Sequence, residues 1–335
     1  MGDPAGIGPE VALKALADLK IRKNIVPLLI GEDFIFEKVK KIIHFPLPIR
    51  SIDEIEEAGL KKNQINLLNS GEIGKREFVS GKVNKACGKA SIAYVRKAFF
   101  LAKNKKIDAM VTAPINKEAV KLSGFRYPGH TEFLAALCSK GKKVGMVLAA
   151  KDLKVLLVTT HLALQKVPVV LSREKVLEKI RLGYHFLKDD LKIKAPRIGV
   201  CGLNPHNGEA GIFGDEEKRI IKPAIAAAGK DGINCIGPVS SDVIFHQAVQ
   251  QKKYDLVVAM YHDQGLIPLK TLYFREGVNI TIGLPIIRTS PDHGTAFDIA
   301  YQGKADPTSM KEAIKYAARL VVAKGDRKSS QKILF

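Results

Sequence analysis

The chain alternates short, unbroken apolar runs with longer stretches in which apolar residues return every three or four positions. The first kind reads as buried strand, the second as amphipathic helix. Strand-like runs stand at 24–31 (weakened by Pro27), 65–68, 107–113, 143–150, 153–159, 197–202, 256–260 and 278–282. Helical spacing runs over 10–19, 33–41, 85–106, 131–138, 172–187, 215–228, 240–252 and 308–323, with shorter helical pieces near 52–58 and 116–122. Only Lys151 and Asp152 separate the runs 143–150 and 153–159, which predicts a hairpin. Strand and helix alternate for most of the length. That is the α/β class with a largely parallel sheet. No Pro/Ser linker marks a boundary, and the hairpin points to a second lobe built from about 125–245.

The run 256–260 has a sharper feature. The cluster Tyr261, His262, Asp263, Gln264, Gly265 follows it at once. In open α/β sheets ligands bind at the carboxyl ends of strands. Two other strand-like runs end the same way, KVLLVTTH at His161 and RIGVCGLNPH at His206. Three imidazoles delivered to one sheet edge form a candidate metal site with open positions. The competing reading is that each histidine caps its own strand or bonds locally. Asp263 then orients a ligand, takes part in proton transfer, or is a turn residue. Asp242 carries the same alternatives, with a place in the first turn of a helix as the simplest.

Composition narrows the partners. The 335 residues carry 54 Lys and Arg against 34 Asp and Glu, a formal charge of +20. The lysines are scattered (Lys61, Lys62, Lys103, Lys105, Lys106, Lys140, Lys142, Lys143), with few aromatics among them to stack bases. This argues against nucleic acid and for a basic field that favours small anions. Four widely spaced cysteines without a CxxC pair fit reduced thiols. No apolar run is long enough for a bilayer, and the first residues lack the pattern of a secretory signal. The chain therefore reads as cytoplasmic, without a membrane partner.

Other candidates are individually weaker. His130 and Thr131 stand at a loop-to-helix junction, where helix N–H groups attract anions, unless Thr131 only caps the helix. Lys270, Asn279 and Arg288 follow the histidine cluster. Arg288, directly after the apolar ITIGLPII, suggests a buried anion partner. The stretch GDPAGIGPE lacks the preceding strand of a dinucleotide fingerprint. The loop 290–303 is rich in small polar residues suited to wrapping a nucleotide. Together these describe a metal-dependent α/β enzyme acting on a small anionic substrate.

GDPAGIGPE near the start, VTAPINK at 111–117, YPGHTEFLA at 127–135, VTTHLAL at 158–164, LNPHNGEAGIFGDEE at 203–217, YHDQGLIPLK at 261–270 and SPDHGTAFDIA at 290–300 together closely resemble the 4-hydroxythreonine-4-phosphate dehydrogenase (PdxA) family. The resemblance implies an isocitrate/isopropylmalate dehydrogenase-like fold, two α/β/α lobes around a cleft. It implies a homodimer with the metal site at the subunit interface. His161, His206 and His262 match the family's divalent metal ligands (Zn, Mg or Co). His130, Thr131, Lys270, Asn279 and Arg288 match its substrate contacts. His293, Gly294 and Asp298 look like the loop that binds the adenosine of NAD or NADP. The implied reaction oxidises 4-phosphohydroxy-L-threonine and decarboxylates it to 3-amino-2-oxopropyl phosphate, for pyridoxal phosphate synthesis. Asp263 and Asp242 are the candidates for the catalytic base.

Two departures from the family stand out. Its members usually carry a short strand before GDPAG, where this sequence starts, and Ala163 stands where proline is expected. Three other readings compete: a dehydrogenase of a four-carbon sugar-acid phosphate such as threonate or erythronate 4-phosphate, a basic nucleic-acid-binding protein, and an inactive relative.

Overall fold

The structure is a computed structural model. It describes residues 1–23, 25–59, 63–127, 129–138 and 143–325, and the backbone of 333–334. Asn24, Pro128 and the lysines Lys61, Lys62, Lys140 and Lys142 lie outside the described residues. The chain divides into two compact units, Met1–Lys140 with Leu284–Phe335, and Gly141–Gly283. The second unit starts and ends later than the span of about 125–245 read from sequence, because the strands around 256–259 and 278–282 pair with the hairpin.

Before residue 141 the strands are β1 (Ile25–Val26), β2 (Leu28–Gly31), β3 (Ile49–Ile52), β4 (Ile65–Asn69) and β5 (Ala109–Val111). The second unit holds β6 (Gly145–Ala150), β7 (Leu153–Leu157), β8 (Ile198–Cys201), β9 (Cys235–Val239), β10 (Leu256–Ala259) and β11 (Val278–Ile282). β12 (Ile287–Pro291) and β13 (Ile333–Leu334) follow.

In the first unit β2, β4 and β3 form a parallel sheet, and β5 pairs with β12. Pro27, which lacks an N–H to give a ladder, separates β1 from β2. The apolar faces of the helices Lys85–Lys103 and Thr308–Lys324 are buried. The N-terminal glycine stretch has a structural task here. Ile7 donates its N–H to the Thr295 carbonyl at 2.9 Å. A Cβ on Gly6 would stand 2.8 Å from that oxygen, so only glycine permits the approach. Glu10 accepts from the N–H groups of Gly303 and Ala305. The loop 290–303 is thus held by residues from the first turns of the chain.

In the second unit the strand order is β11-β6-β7-β10-β8-β9. β6 is antiparallel to both β11 and β7, with Lys151-Asp152 as the predicted hairpin turn. β7, β10, β8 and β9 run parallel, so their carboxyl ends share one edge. Leu148, Val155, Leu157, Val257 and Ala259 pack with Ile244, Leu266 and Leu269 from two covering helices.

Two elements differ from the sequence reading. The helix His262–Tyr273, with only Met260 and Tyr261 between it and β10, stands where the sequence reading places no helix. A Cβ at Gly265 would come within 2.6 Å of Val155, so glycine here sets how deep the helix sits on the sheet. β12 begins only five residues after β11 ends, with Gly283 and Pro285 between them, so one apolar run contains two strands.

Asp3 is fully buried, with one carboxylate oxygen lacking a hydrogen-bond partner. Burial pushes its pKa from 3.8 up to about 6, against the pull of backbone N–H donors. The folded state therefore holds the proton more tightly than the unfolded one. Stability falls as pH rises through this window and levels off above it. Asp3→Asn is expected to gain up to about 3 kcal/mol over wild type near neutral pH, fading to nothing by about pH 4. Urea denaturation at both pH values checks this; an equal difference at both would refute it.

Candidate active site

His161, His206 and His262 follow the ends of β7, β8 and β10. In the sheet β10 lies between the other two, so the three histidines leave adjacent parallel strands at one edge. The rings of His161 and His262 have centroids 5.7 Å apart. His262 is the first residue of its helix. Its Nδ1 meets Asp263 Oδ1 at 2.6 Å. With Nδ1 bonded to a carboxylate, Nε2 carries the lone pair that a metal takes. Asp263 thus has the geometry of an orienting group. Among the described residues no three His, Cys, Asp or Glu side chains of one chain are placed together to hold an ion.

His206 sits on an unusual backbone. His206, Asn207, Gly208, Glu209 and Ala210 all have positive φ, between 40° and 79°, forming one left-handed arch. Such a run does not persist on propensity alone. The buried Glu217 holds it at its base. Its carboxylate accepts from the N–H groups of Leu203 and Asn204, each at 2.7 Å, and from the Asn204 amide at 3.0 Å. A Cβ on Gly208 would strike the Gly214 carbonyl at 2.4 Å. Asn207 donates to the Pro238 carbonyl at 3.1 Å.

Asp242 lies in the first turn of the helix Ser241–Val249, the simplest of its predicted roles. Its carboxyl is held below the usual range, chiefly by the donated Ser240 hydroxyl and then by its own N–H. That weakens it as a base. An open cavity of about 490 Å³ is lined by Asp242, Phe245, Tyr261, Asp263, Gln264 and Ile267, beside His262. Ile267, Leu272 and Phe274 are exposed there or just beyond. Lys270, on the same helix, has its ammonium 5.9 Å from the Phe274 ring. Asn279 is on β11, with its amide oxygen buried and unbonded.

The first unit holds the other candidates. Arg288 lies within β12, almost fully buried. It donates to the Thr112 hydroxyl from Nε at 3.1 Å and from a terminal nitrogen at 2.6 Å. Burial pushes its pKa down to about 10, with Glu132 pulling the other way. His130 is the first residue of the helix His130–Leu137. Thr131 does not cap this helix; Gly129 occupies the cap position. The His130 Nε2 is buried without a partner. Burial, then the charge of Arg288, pushes its pKa well down, so the imidazole is neutral. A helix N-terminus, a neutral imidazole and a guanidinium close enough to feel each other suit an anion. His293 Nδ1 faces the Gly294 carbonyl at 3.0 Å, and its Nε2 is buried and unbonded. Gly294 has open space where a side chain would stand. Asp298 lies in the short helical turn Phe297–Ile299, exposed.

The sequence reading does not single out Glu217 or Thr112. The available signal is slight: a second glutamate before an apolar helical stretch, and a threonine at the end of a buried strand.

Parallel strands ending in imidazoles, on a unit separate from a buried arginine and a helix-end histidine, define an α/β enzyme. The comparisons specify which kind. The chain matches the family model described as "Pyridoxal phosphate biosynthetic protein PdxA" over residues 23–317, and it belongs to this family of oxidoreductases. It is 45% identical over 326 residues to the 4-hydroxythreonine-4-phosphate dehydrogenase of Trichlorobacter lovleyi, covering 97% of each chain. It is 46% identical over 322 residues to the D-threonate 4-phosphate dehydrogenase of Salmonella typhimurium, covering 96% of this chain and 97% of the relative. The crystal structure of the Klebsiella pneumoniae 4-hydroxythreonine-4-phosphate dehydrogenase matches with a TM-score of 0.86 at 42% identity, covering 96% of both chains.

Glu217→Ala would leave the Leu203 and Asn204 donors without their acceptor. It is expected to cost roughly 3 kcal/mol or more. A fall in the urea midpoint checks this; an unchanged midpoint would show that the arch stands without the clamp.

Proposed function

We propose that this protein oxidises 4-phosphohydroxy-L-threonine with NAD or NADP and a divalent metal, releasing carbon dioxide and 3-amino-2-oxopropyl phosphate. The observation that carries the reading is the delivery of His161, His206 and His262 to one edge by adjacent parallel strands, in a chain this similar to dehydrogenases. Of the zinc, magnesium and cobalt that the family resemblance implies, a set of imidazole donors, one already oriented by Asp263, fits zinc or cobalt rather than magnesium, which takes oxygen ligands. An ion held by these histidines would supply Lewis-acid stabilisation of negative charge, and a bound nicotinamide would supply a hydride acceptor.

The chain's own residues do the rest. His130, Thr131, Lys270, Asn279 and Arg288 are the side chains offered to the phosphorylated substrate. Its anionic groups meet a cation that burial keeps weakly hydrated, and fixed contacts orient the reacting carbon. Asp263 holds the His262 tautomer. In contact with that ring, it is also the better placed of the two candidates to move a proton, Asp242 being held below the usual carboxylate range by its donors. His293, Gly294 and Asp298 take the adenosine end of the cofactor. A second copy of the chain completes the metal site. The exposed Ile267, Leu272 and Phe274, close along the chain to His262, give that copy an apolar surface to cover.

Relatives named for hydroxythreonine phosphate and for threonate phosphate stand at 45% and 46% identity, so identity does not separate the two substrates. NADH or NADPH formation is expected with 4-phosphohydroxy-L-threonine and divalent metal, at higher kcat/KM than with threonate or erythronate 4-phosphate. His262→Ala is expected to lower it roughly 100-fold or more, beyond the ~10–100-fold typical of losing a group that only supports a ligand. A folded enzyme that turns over as well after metal removal would refute the metal's role. Preference for the sugar-acid phosphates would reassign the substrate.

A further inference from the structure

Gln264 stands in the histidine cluster yet has no place in the reaction. Its side chain is buried. Its carboxamide makes three bonds. The oxygen accepts from the Met260 N–H at 2.6 Å. The nitrogen donates to the Gly202 carbonyl at 2.7 Å and to the Ser241 hydroxyl at 2.8 Å. Met260 follows β10, Gly202 follows β8, and Ser241 opens the next helix. The third strand joins through Met260, whose carbonyl accepts from the Thr159 N–H at 3.2 Å and from its hydroxyl at 2.8 Å. Thr159 is two residues before His161, Gly202 four before His206, and Gln264 itself two after His262. One amide therefore connects, directly or through the single residue Met260, the three backbone segments that carry the histidines.

We propose that Gln264 is a positioning residue that sets the mutual placement of the three metal-binding histidine segments. The inference rests on the metal reading above. The chemistry at this point is restrictive. The position requires two donors and one acceptor at zero charge, which a carboxamide offers and a carboxylate or thioether does not. Glutamate would set an oxygen against the Gly202 carbonyl, or take up a proton and satisfy one acceptor of two. Methionine would fill the volume, leave the Met260 N–H without its side-chain acceptor, and leave the Gly202 carbonyl with only the Ser241 hydroxyl at 3.3 Å. The close seating of Gly265 on Val155 fixes the depth of the helix, so the amide reaches its partners from one height only.

The test uses the full-length protein stripped of metal and titrated with Co²⁺. Affinity is read by competition with a chelator, and ligand geometry by the visible absorption of the bound cobalt. Gln264→Met and Gln264→Glu are expected to bind Co²⁺ ~10–100-fold more weakly than wild type, with a changed spectrum. Thr159→Val removes only the hydroxyl bond to Met260 and is expected to weaken binding by roughly 3- to 10-fold. It decides the matter if the Gln264 variants do not fold. Folded variants with wild-type affinity and spectrum overturn the inference, even if their melting temperature falls, because a merely structural role would move only the latter. His262→Ala separates the two levels. A wild type sensitive to His262→Ala but not to Gln264→Met overturns this inference alone. One indifferent to both overturns the metal reading as well.

Discussion

Met260 lies where three strand ends meet, and its buried N–H and carbonyl, which belong to successive peptide groups, must both be satisfied without water. Its N–H goes to the Gln264 side chain and its carbonyl to Thr159. The parallel course of β7, β10 and β8 follows the same logic on a larger scale. Parallel neighbours must release their chains at the same edge, and the loops they release are the only segments free to carry chemistry. Only β6 runs the other way from β7, being antiparallel to both β7 and β11, and no histidine candidate follows it. The common edge of the three candidate histidines is thus a consequence of strand direction.

Much of this was legible in the sequence. The strands β8 and β10 are uninterrupted apolar runs, β7 is interrupted only by Lys154, and the histidine after each is visible without a structure. The hairpin at Lys151-Asp152 is equally plain. The features that escaped share a cause: local rules were overridden by packing. Gly265 and Pro268 argue against a helix locally, yet burial against Val155 and Leu157 outweighs their cost. β12 was hidden by its closeness to β11. The left-handed arch at His206 has no signature, because Asn207 and Gly208 suit positive φ while Glu209 and Ala210 do not. Glu217 matters through bonds to backbone thirteen and fourteen residues away, a relation that no periodicity encodes.

The first unit shows how a motif can be read correctly as negative evidence and still have a purpose. GDPAGIGPE is not a dinucleotide fingerprint. Its glycines allow one backbone to lie against another, so that the loop bearing His293 is braced by the start of the chain. Nearby, the same burial acts in opposite senses on two bases. The His130 imidazole loses its charge, while the Arg288 guanidinium, far more basic to begin with, keeps it. A neutral hydrogen-bonding group beside a permanent cation recognises an anion by shape as well as by charge. The +20 net charge of the whole molecule does neither with any selectivity.

The arch from His206 to Ala210 also constrains how this sequence can drift. Each of its residues occupies a region closed to β-branched side chains, so valine, isoleucine and threonine are barred along the whole segment whatever their fit to the surroundings. Gly208 is barred further from any side chain by the Gly214 carbonyl. Its neighbours can vary only among residues that tolerate this backbone, asparagine, aspartate, histidine and a few unbranched others. A short surface loop, ordinarily the most permissive part of a protein, is here among the least free to change. Its invariance among descendants would record backbone geometry as much as the chemistry of the one imidazole it carries.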